Sequence, residues 1–149
     1  MLALLFHVGP DRVAVDVRRV REVVPRVRLS AAVGGPAWVA GRFVYRGRVV
    51  PVVDLHELVG AGPCPPHLSS RIILFPWPAD SDSLVGVLAT QVADIRRIDA
   101  ATPPAEQSEV SLGPVVPDGA ELLRLFDPDR LFAALAGRCA GLIPGGRAA

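Results

Sequence analysis

The sequence predicts a mainly β protein built as two small barrels, and three observations carry that reading. Fifteen prolines and fourteen glycines punctuate the chain too often for long helices. Between them lie short apolar runs rich in β-branched valine, the residue that suits a pleated, largely buried surface. The same grammar of strand, turn, strand and basic amphipathic piece occurs twice, in residues 2–24 and again in 71–98, as a weak internal repeat.

In chain order, Leu2 to Val8 is a continuous apolar run of strand length, stopped by the turn Gly9-Pro10-Asp11-Arg12. Val13 to Val17 returns as the second arm of a hairpin. Arg18 to Val24 spaces Val20, Val23 and Val24 like a helix but is valine-rich, so a single helical turn running into a strand is expected. Pro25 ends it, Val27 to Leu29 is a further extended piece, and Gly34-Gly35-Pro36 is a turn. Ala37 to Gly41 reads as one helical turn. Arg42–Tyr45 and Arg48–Asp54 then form a hairpin, since Gly47 supplies the positive φ of a tight bend. Pro51 has no N–H for a ladder, which makes the second arm an edge strand or a bulged one. Asp54 is placed to cap the short turn Leu55 to Leu58.

Gly62-Pro63-Cys64-Pro65-Pro66 is a stiff connection and the natural boundary. It divides a single domain of 149 residues into subdomains of about 1–62 and 67–137, with a tail at 138–149. Beyond it, Arg71 to Pro76 and Leu84 to Ala89 are strands, and Val92, Ile95 and Ile98 of the following piece are expected to point inward. Asp99 to Pro117 reads as loop, with Val110 to Val116 docking back, and Glu121 to Phe126 as the last strand. Asp127-Pro128-Asp129 is a helix start: an acid at the cap, proline at the first helical position, then a second acid in the first turn. Leu131, Phe132 and Leu135 form the helix's apolar face, and Gly137 is its expected stop.

Chemistry is conspicuous by what the residues exclude. The net charge of +1 is too balanced to point to nucleic acid or an anionic membrane. All sixteen basic residues are arginine, so P-loop, Schiff-base and kinase-type lysines are impossible. His56-Glu57 begins like a zinc-protease motif, but Gly60 stands where the second histidine belongs. Cys64 and His67 have ligand-like spacing without a second pair, so no metal site and no cofactor are expected. No Gly-x-Ser-x-Gly occurs. Asp16, Glu22, Asp54 and Asp94 sit on different strands, where turn and surface roles outweigh an acid–base pair. An enzyme is disfavoured. Cys64 and Cys139 read as two free thiols of a reducing cytosol rather than a disulfide. The apolar start Met1 to Phe6 is too short for a signal-peptide core, and no run reaches the roughly 20 apolar residues of a membrane span, so a soluble cytoplasmic protein is expected.

Two charge features remain. Arg18, Arg19, Arg21, Arg26 and Arg28 form a basic cluster, read first as a solvated face guarding an edge strand, second as a protein contact, and third as a nucleic-acid surface, which no interleaved aromatic supports. Glu22 and Arg46 are opposite charges on elements that can be neighbours. An exposed pair of this kind is worth only about 0–1 kcal/mol, too little to be a fold determinant.

These residues also carry a family resemblance. Val20-Arg-Glu-Val23, Gly41 and Tyr45-Arg-Gly-Arg-Val-Val-Pro-Val-Val-Asp-Leu55 resemble the CheW coupling proteins of bacterial chemosensory arrays. Val85-Gly86-Val87 and Val92-Ala-Asp-Ile95 resemble the same family's later motifs, while Ala89-Thr90, Val44 and His56 depart from its pattern. The resemblance implies two intertwined SH3-like five-stranded β-barrels closed by a short C-terminal helix. It implies a non-enzymatic adaptor binding the cytoplasmic tip of chemoreceptors, in a groove between the barrels, and the regulatory domain of a CheA-type histidine kinase. The positions matching the family's interaction residues are Val20, Glu22, Val23, Gly41, Arg46, Val87 and Ile95. A second reading stays open: a divergent SH3-like barrel that binds another protein or nucleic acid without kinase coupling.

Overall fold

A computed structural model describes residues 1–31, 34–66, 68–99 and 112–138. Among the described residues nine strands and two helices follow in order: β1 Leu2–Val8, β2 Asp11–Asp16, β3 Glu22–Pro25, β4 Val39–Tyr45, β5 Arg48–Asp54, α1 Leu55–Leu58, β6 Arg71–Pro76, β7 Leu84–Arg97, β8 Val115–Asp118, β9 Glu121–Leu125 and α2 Pro128–Arg138. A single 3-10 turn, Val17–Arg19, joins β2 to β3, the helical turn running into a strand that the valine spacing predicted.

The strands make two five-stranded units that share β7. Its first half pairs antiparallel with β6 and parallel with β5, completing the series β3-β6-β7-β5-β4. Its second half pairs antiparallel with β1, completing β7-β1-β2-β9-β8. The change of partner falls between Ala89 and Thr90, and Gln91, with a φ of +52°, sits just beyond it in the bulged start of the β1 ladder. Leu84 to Ala89 is therefore the front half of a 14-residue strand, not a strand of its own. Both units draw on both sides of the 62–67 connection, whereas the sequence division put one subdomain on each side. Strand partnership is decided by long-range ladders that composition at a linker cannot register.

Three apolar layers explain why the strands read as continuous apolar runs. Ala3, Ala14, Ile98, Val116 and Leu123 fill the barrel of β1. Val24, Val50, Val52, Cys64, Ile72, Leu74, Leu84 and Leu88 fill the barrel of β6. Between the barrels lies the largest cluster, in which Leu4, Phe6, Val13 and Val15 meet Val53, Ile73, Phe75, Val85 and Val87. Successive residues of one strand, such as Ile72 and Ile73, thus enter different cores, so both faces are apolar and the period of two disappears. Helix α2 closes this central layer with Leu131, Phe132 and Leu135, and Phe132 meets Phe75 and Trp77 edge-on at 5.9 and 6.0 Å. Asp127 caps the helix, its Oδ1 accepting from the backbone N–H groups of Asp129 and Arg130 at 3.1 and 3.3 Å.

Several local expectations are corrected. Val39 already belongs to β4, so the predicted helical turn shrinks to Ala37–Trp38. Val27 to Leu29 makes no strand, although Ser30 just beyond it bridges to Arg42. Val115 to Asp118 is a strand where loop was expected, because its partner β9 supplies a ladder. Gly137 lies inside α2, which runs on to Arg138; residues 139–149, including Cys139, lie outside the described residues. Pro51 sits where β5 pairs only with β4, before the β7 ladder begins at Val52, as an edge position requires. Among the described residues no helix is long and apolar enough to cross a membrane.

Candidate functional site: an inter-barrel rim and a polar cluster

Seven positions were singled out from sequence, and the register sorts them into separate groups. Directly opposed residues in neighbouring strands put their side chains on the same face. Val23 opposes Ile73, Ile73 opposes Val87, and Val87 opposes Val53, so these four form one row across β3, β6, β7 and β5. The row lies on the inter-barrel face, and exposure falls along it from 36% at Val23 to 0% at Val87. β3 is the edge strand, which is why Val23 forms a rim while Val87 is floor. Val20, partly buried, packs against the same central cluster. On the other barrel Ile95 opposes Leu4, itself part of that cluster, yet Ile95 is 59% exposed. Ile95 was expected to point inward; it follows the inter-barrel face but lies beyond the part that is covered. Val20, Val23 and Ile95 therefore present apolar surface at the borders of the layer between the barrels, and Val87 supports it from beneath without surface of its own.

The polar residues stand on the opposite side of β3. Glu22 opposes Leu74, an interior residue of the second barrel, and its carboxylate turns toward the β4–β5 hairpin. Arg46 Nη2 reaches Glu22 Oε1 at 3.2 Å, the pairing anticipated from sequence. Tyr45 completes the cluster: its hydroxyl donates to the same Oε1 at 2.5 Å, and the Arg46 guanidinium lies 5.1 Å from its ring centroid. The bond to Glu22 raises the Tyr45 hydroxyl above its usual range. Sequence reasoning missed Tyr45, although its place beside Arg46 at the hairpin was the available signal. The hairpin holds the pair in register because Arg46 and Gly47 both take positive φ, +49° and +78°, in a two-residue turn.

Gly41 belongs to neither group. Its φ is +142°, next to the bulge at Ala40 in β4, and a Cβ there would sit 2.5 Å from the Ser30 carbonyl oxygen. Ser30 and Arg42 exchange two backbone hydrogen bonds at 2.9 and 3.0 Å across that point, which bring the chain after β3 onto β4. Glycine is required there for barrel closure.

Three arginines of the cluster make contacts within the chain. Arg18 pairs with Asp16 at 2.7 Å, Arg19 with Asp129 at 2.5 Å, and Arg26 donates to the carbonyls of Cys64 and Pro65 at 2.9 Å. Hydrogen bonding to Arg18 holds the Asp16 carboxyl below its ordinary value. These three arginines hold the turn before β3 and the loop before β6, while Arg21 and Arg28 are exposed.

One buried polar group was not anticipated. Asp54, His56 and Cys64 converge at the end of β5, with their ligand-type atoms all within 4.8 Å of one another. Asp54 caps α1 as predicted, Oδ1 accepting from His56 and Glu57 N–H at 2.9 and 3.4 Å, and Oδ2 accepts from Cys64 N–H at 2.9 Å. Burial lowers the His56 pKa and pushes the free Cys64 thiol up to about 11.

Comparison with known proteins follows the geometry. The CheW-like domain family matches residues 2–136. A probable chemotaxis protein CheW of Rhizobium etli is 29% identical over 92 residues, 62% of this chain and 57% of that relative's length. In fold, the crystal structure of the scaffolding protein TtCheW from Thermoanaerobacter tengcongensis superposes with a TM-score of 0.75 at 21% identity, over 88% of this chain and 86% of that one.

Proposed function

The chain belongs to the CheW-like domain family, and from that premise we propose that it is a non-enzymatic cytoplasmic scaffold coupling chemoreceptors to a CheA-type histidine kinase in a bacterial chemosensory array. The observation that carries the reading is the division of β3. One side contributes Val23 to an apolar rim bordering the layer between the barrels, and the other contributes Glu22 to the cluster with Tyr45 and Arg46. An amphipathic helical tip is recognised by apolar anchors in a groove, and Val20, Val23 and Ile95 offer such anchors for the receptor. Charges at the edge set register and orientation, the part assigned to Glu22 and Arg46 in engaging the kinase regulatory domain. Gly41 and Val87 act beneath these surfaces, one through backbone closure and the other through packing.

The test is calorimetric titration of the protein with the regulatory domain of the CheA-type kinase from the same genome, and separately with a receptor-tip fragment. Arg46→Ala is expected to weaken kinase binding at least several-fold while leaving the circular dichroism spectrum unchanged. Ile95→Asp is expected to weaken receptor binding while sparing the kinase. No heat with either partner would sink the coupling role. Binding to nucleic acid that falls steeply with salt would instead favour an SH3-like barrel of another kind.

A further inference from the structure

We propose that Asp54, His56 and Cys64 form a binding site for a zinc-type divalent metal, which clips the loop before β6 onto the end of β5. The three residues offer one carboxylate oxygen, one imidazole nitrogen and one sulfur, a donor set suited to Zn2+. Their ligand-type atoms lie within 4.8 Å of one another, against edges of about 3.3–3.7 Å in a tetrahedral zinc site, a difference that modest side-chain rotation closes.

Helix capping accounts for Asp54 but not for His56. His56 is only 3% exposed, and its Nδ1 is buried without a hydrogen-bond partner. The facing Asp54 Oδ1 is 3.9 Å away, too far for a hydrogen bond and suitable for a neighbouring ligand around one ion. An orphaned nitrogen at such depth is costly, and a metal would satisfy it. The backbone N–H groups on Asp54 then become the outer partners that orient a ligating carboxylate. Arg26, bonded to the carbonyls of Cys64 and Pro65, holds the loop that presents the sulfur.

Charge and access also fit. One carboxylate and one thiolate neutralise a dication, so the loaded site buries no net charge. On binding, the Cys64 S–H bond breaks, an S–metal bond forms, and the proton leaves to buffer. That exchange releases one proton per ion. A cleft of about 300 Å3 lined by residues including His56, Ser69, Thr90 and Gln91 brings solvent to the imidazole side of the cluster.

The experiment is titration of the reduced, metal-free full chain with Zn2+ by calorimetry, and with Co2+ by absorbance. One ion per chain is expected, with about one proton released near neutral pH, a thiolate-to-cobalt charge-transfer band and a melting temperature that rises with zinc. Cys64→Ser and His56→Gln should each weaken Zn2+ binding by more than the ~10–100-fold that loss of an outer partner costs. Cys139→Ser and His67→Ala should leave binding unchanged. The proposal is overturned by absence of zinc binding to the folded wild-type chain, by a cobalt spectrum lacking the thiolate band, or by binding that follows Cys139 or His67 instead. Proton release and the cobalt band are read on the wild-type chain, so the test stands even where a buried variant fails to fold.

Discussion

The two barrels are filled differently. The barrel of β1, β2, β8 and β9 encloses a small interior that includes Ala3 and Ala14, and ion pairs lace its outside: Asp118 binds Arg12 at 3.2 Å and also Arg96, and Arg124 binds Asp11 at 3.3 Å. The barrel of β3, β4, β5 and β6 has a larger aliphatic interior and carries buried Asp54 and His56, together with the Glu22–Tyr45–Arg46 cluster on its rim. Exposed ion pairs contribute little each. The first barrel therefore depends on the shared central layer for stability, while the second has a core of its own and bears most of the residues assigned to recognition.

The strongest way to break that comparison is to damage the shared layer. Phe132 is fully buried against Phe75 and Trp77, so Phe132→Ala should cost about 3–5 kcal/mol. Chemical denaturation should show one cooperative transition at lower denaturant. Two separated transitions would mean that the barrels fold independently.

A smaller effect confined to the second barrel is expected from Gly41→Ala. Its positive φ and the nearby Ser30 carbonyl make any side chain strained, at about 1–3 kcal/mol. Hydrogen exchange should accelerate at the Ser30 and Arg42 amides while the β1–β2 ladder stays protected. Equal acceleration in both barrels would contradict a local closure role.

The smallest effects separate the barrels by pH. Burial depresses His56 below its usual 6.5, so its contribution to the second barrel is present above that value and lost as pH falls through the lower folded value. Hydrogen bonding to Arg96 depresses Asp118 below 3.8, so its contribution to the first barrel survives until pH falls through that lower range. His56→Gln should flatten the stability profile just below neutrality, and Asp118→Asn only its acid end. Unchanged profiles in both variants would show that these groups titrate alike folded and unfolded.

Much of this was legible in the residues. The β4–β5 hairpin followed from Gly47, the capped α2 from Asp127-Pro128-Asp129, and the Glu22–Arg46 pair from two charges on adjoining elements. What could not be read was partnership. Ile95 looked inward because its spacing is apolar, but how much of a face is covered depends on the other barrel. β7 looked like two pieces, Leu84 to Ala89 and then Val92 to Ile98, because nothing local shows one strand passing from the β6 ladder to the β1 ladder. Cys64 looked like part of a stiff linker, since nothing local brings it back to Asp54 and His56.

The passage of β7 from one ladder to the other has a mechanical consequence. A single backbone forms part of both barrels, and α2 is packed onto the layer between them. Bodies joined in this way turn together, so a load applied to one reaches the other without a slack tether in between. Whatever is fastened to the two barrels is held at one angle and one separation. The molecule is a bracket: what it fixes is spacing and orientation.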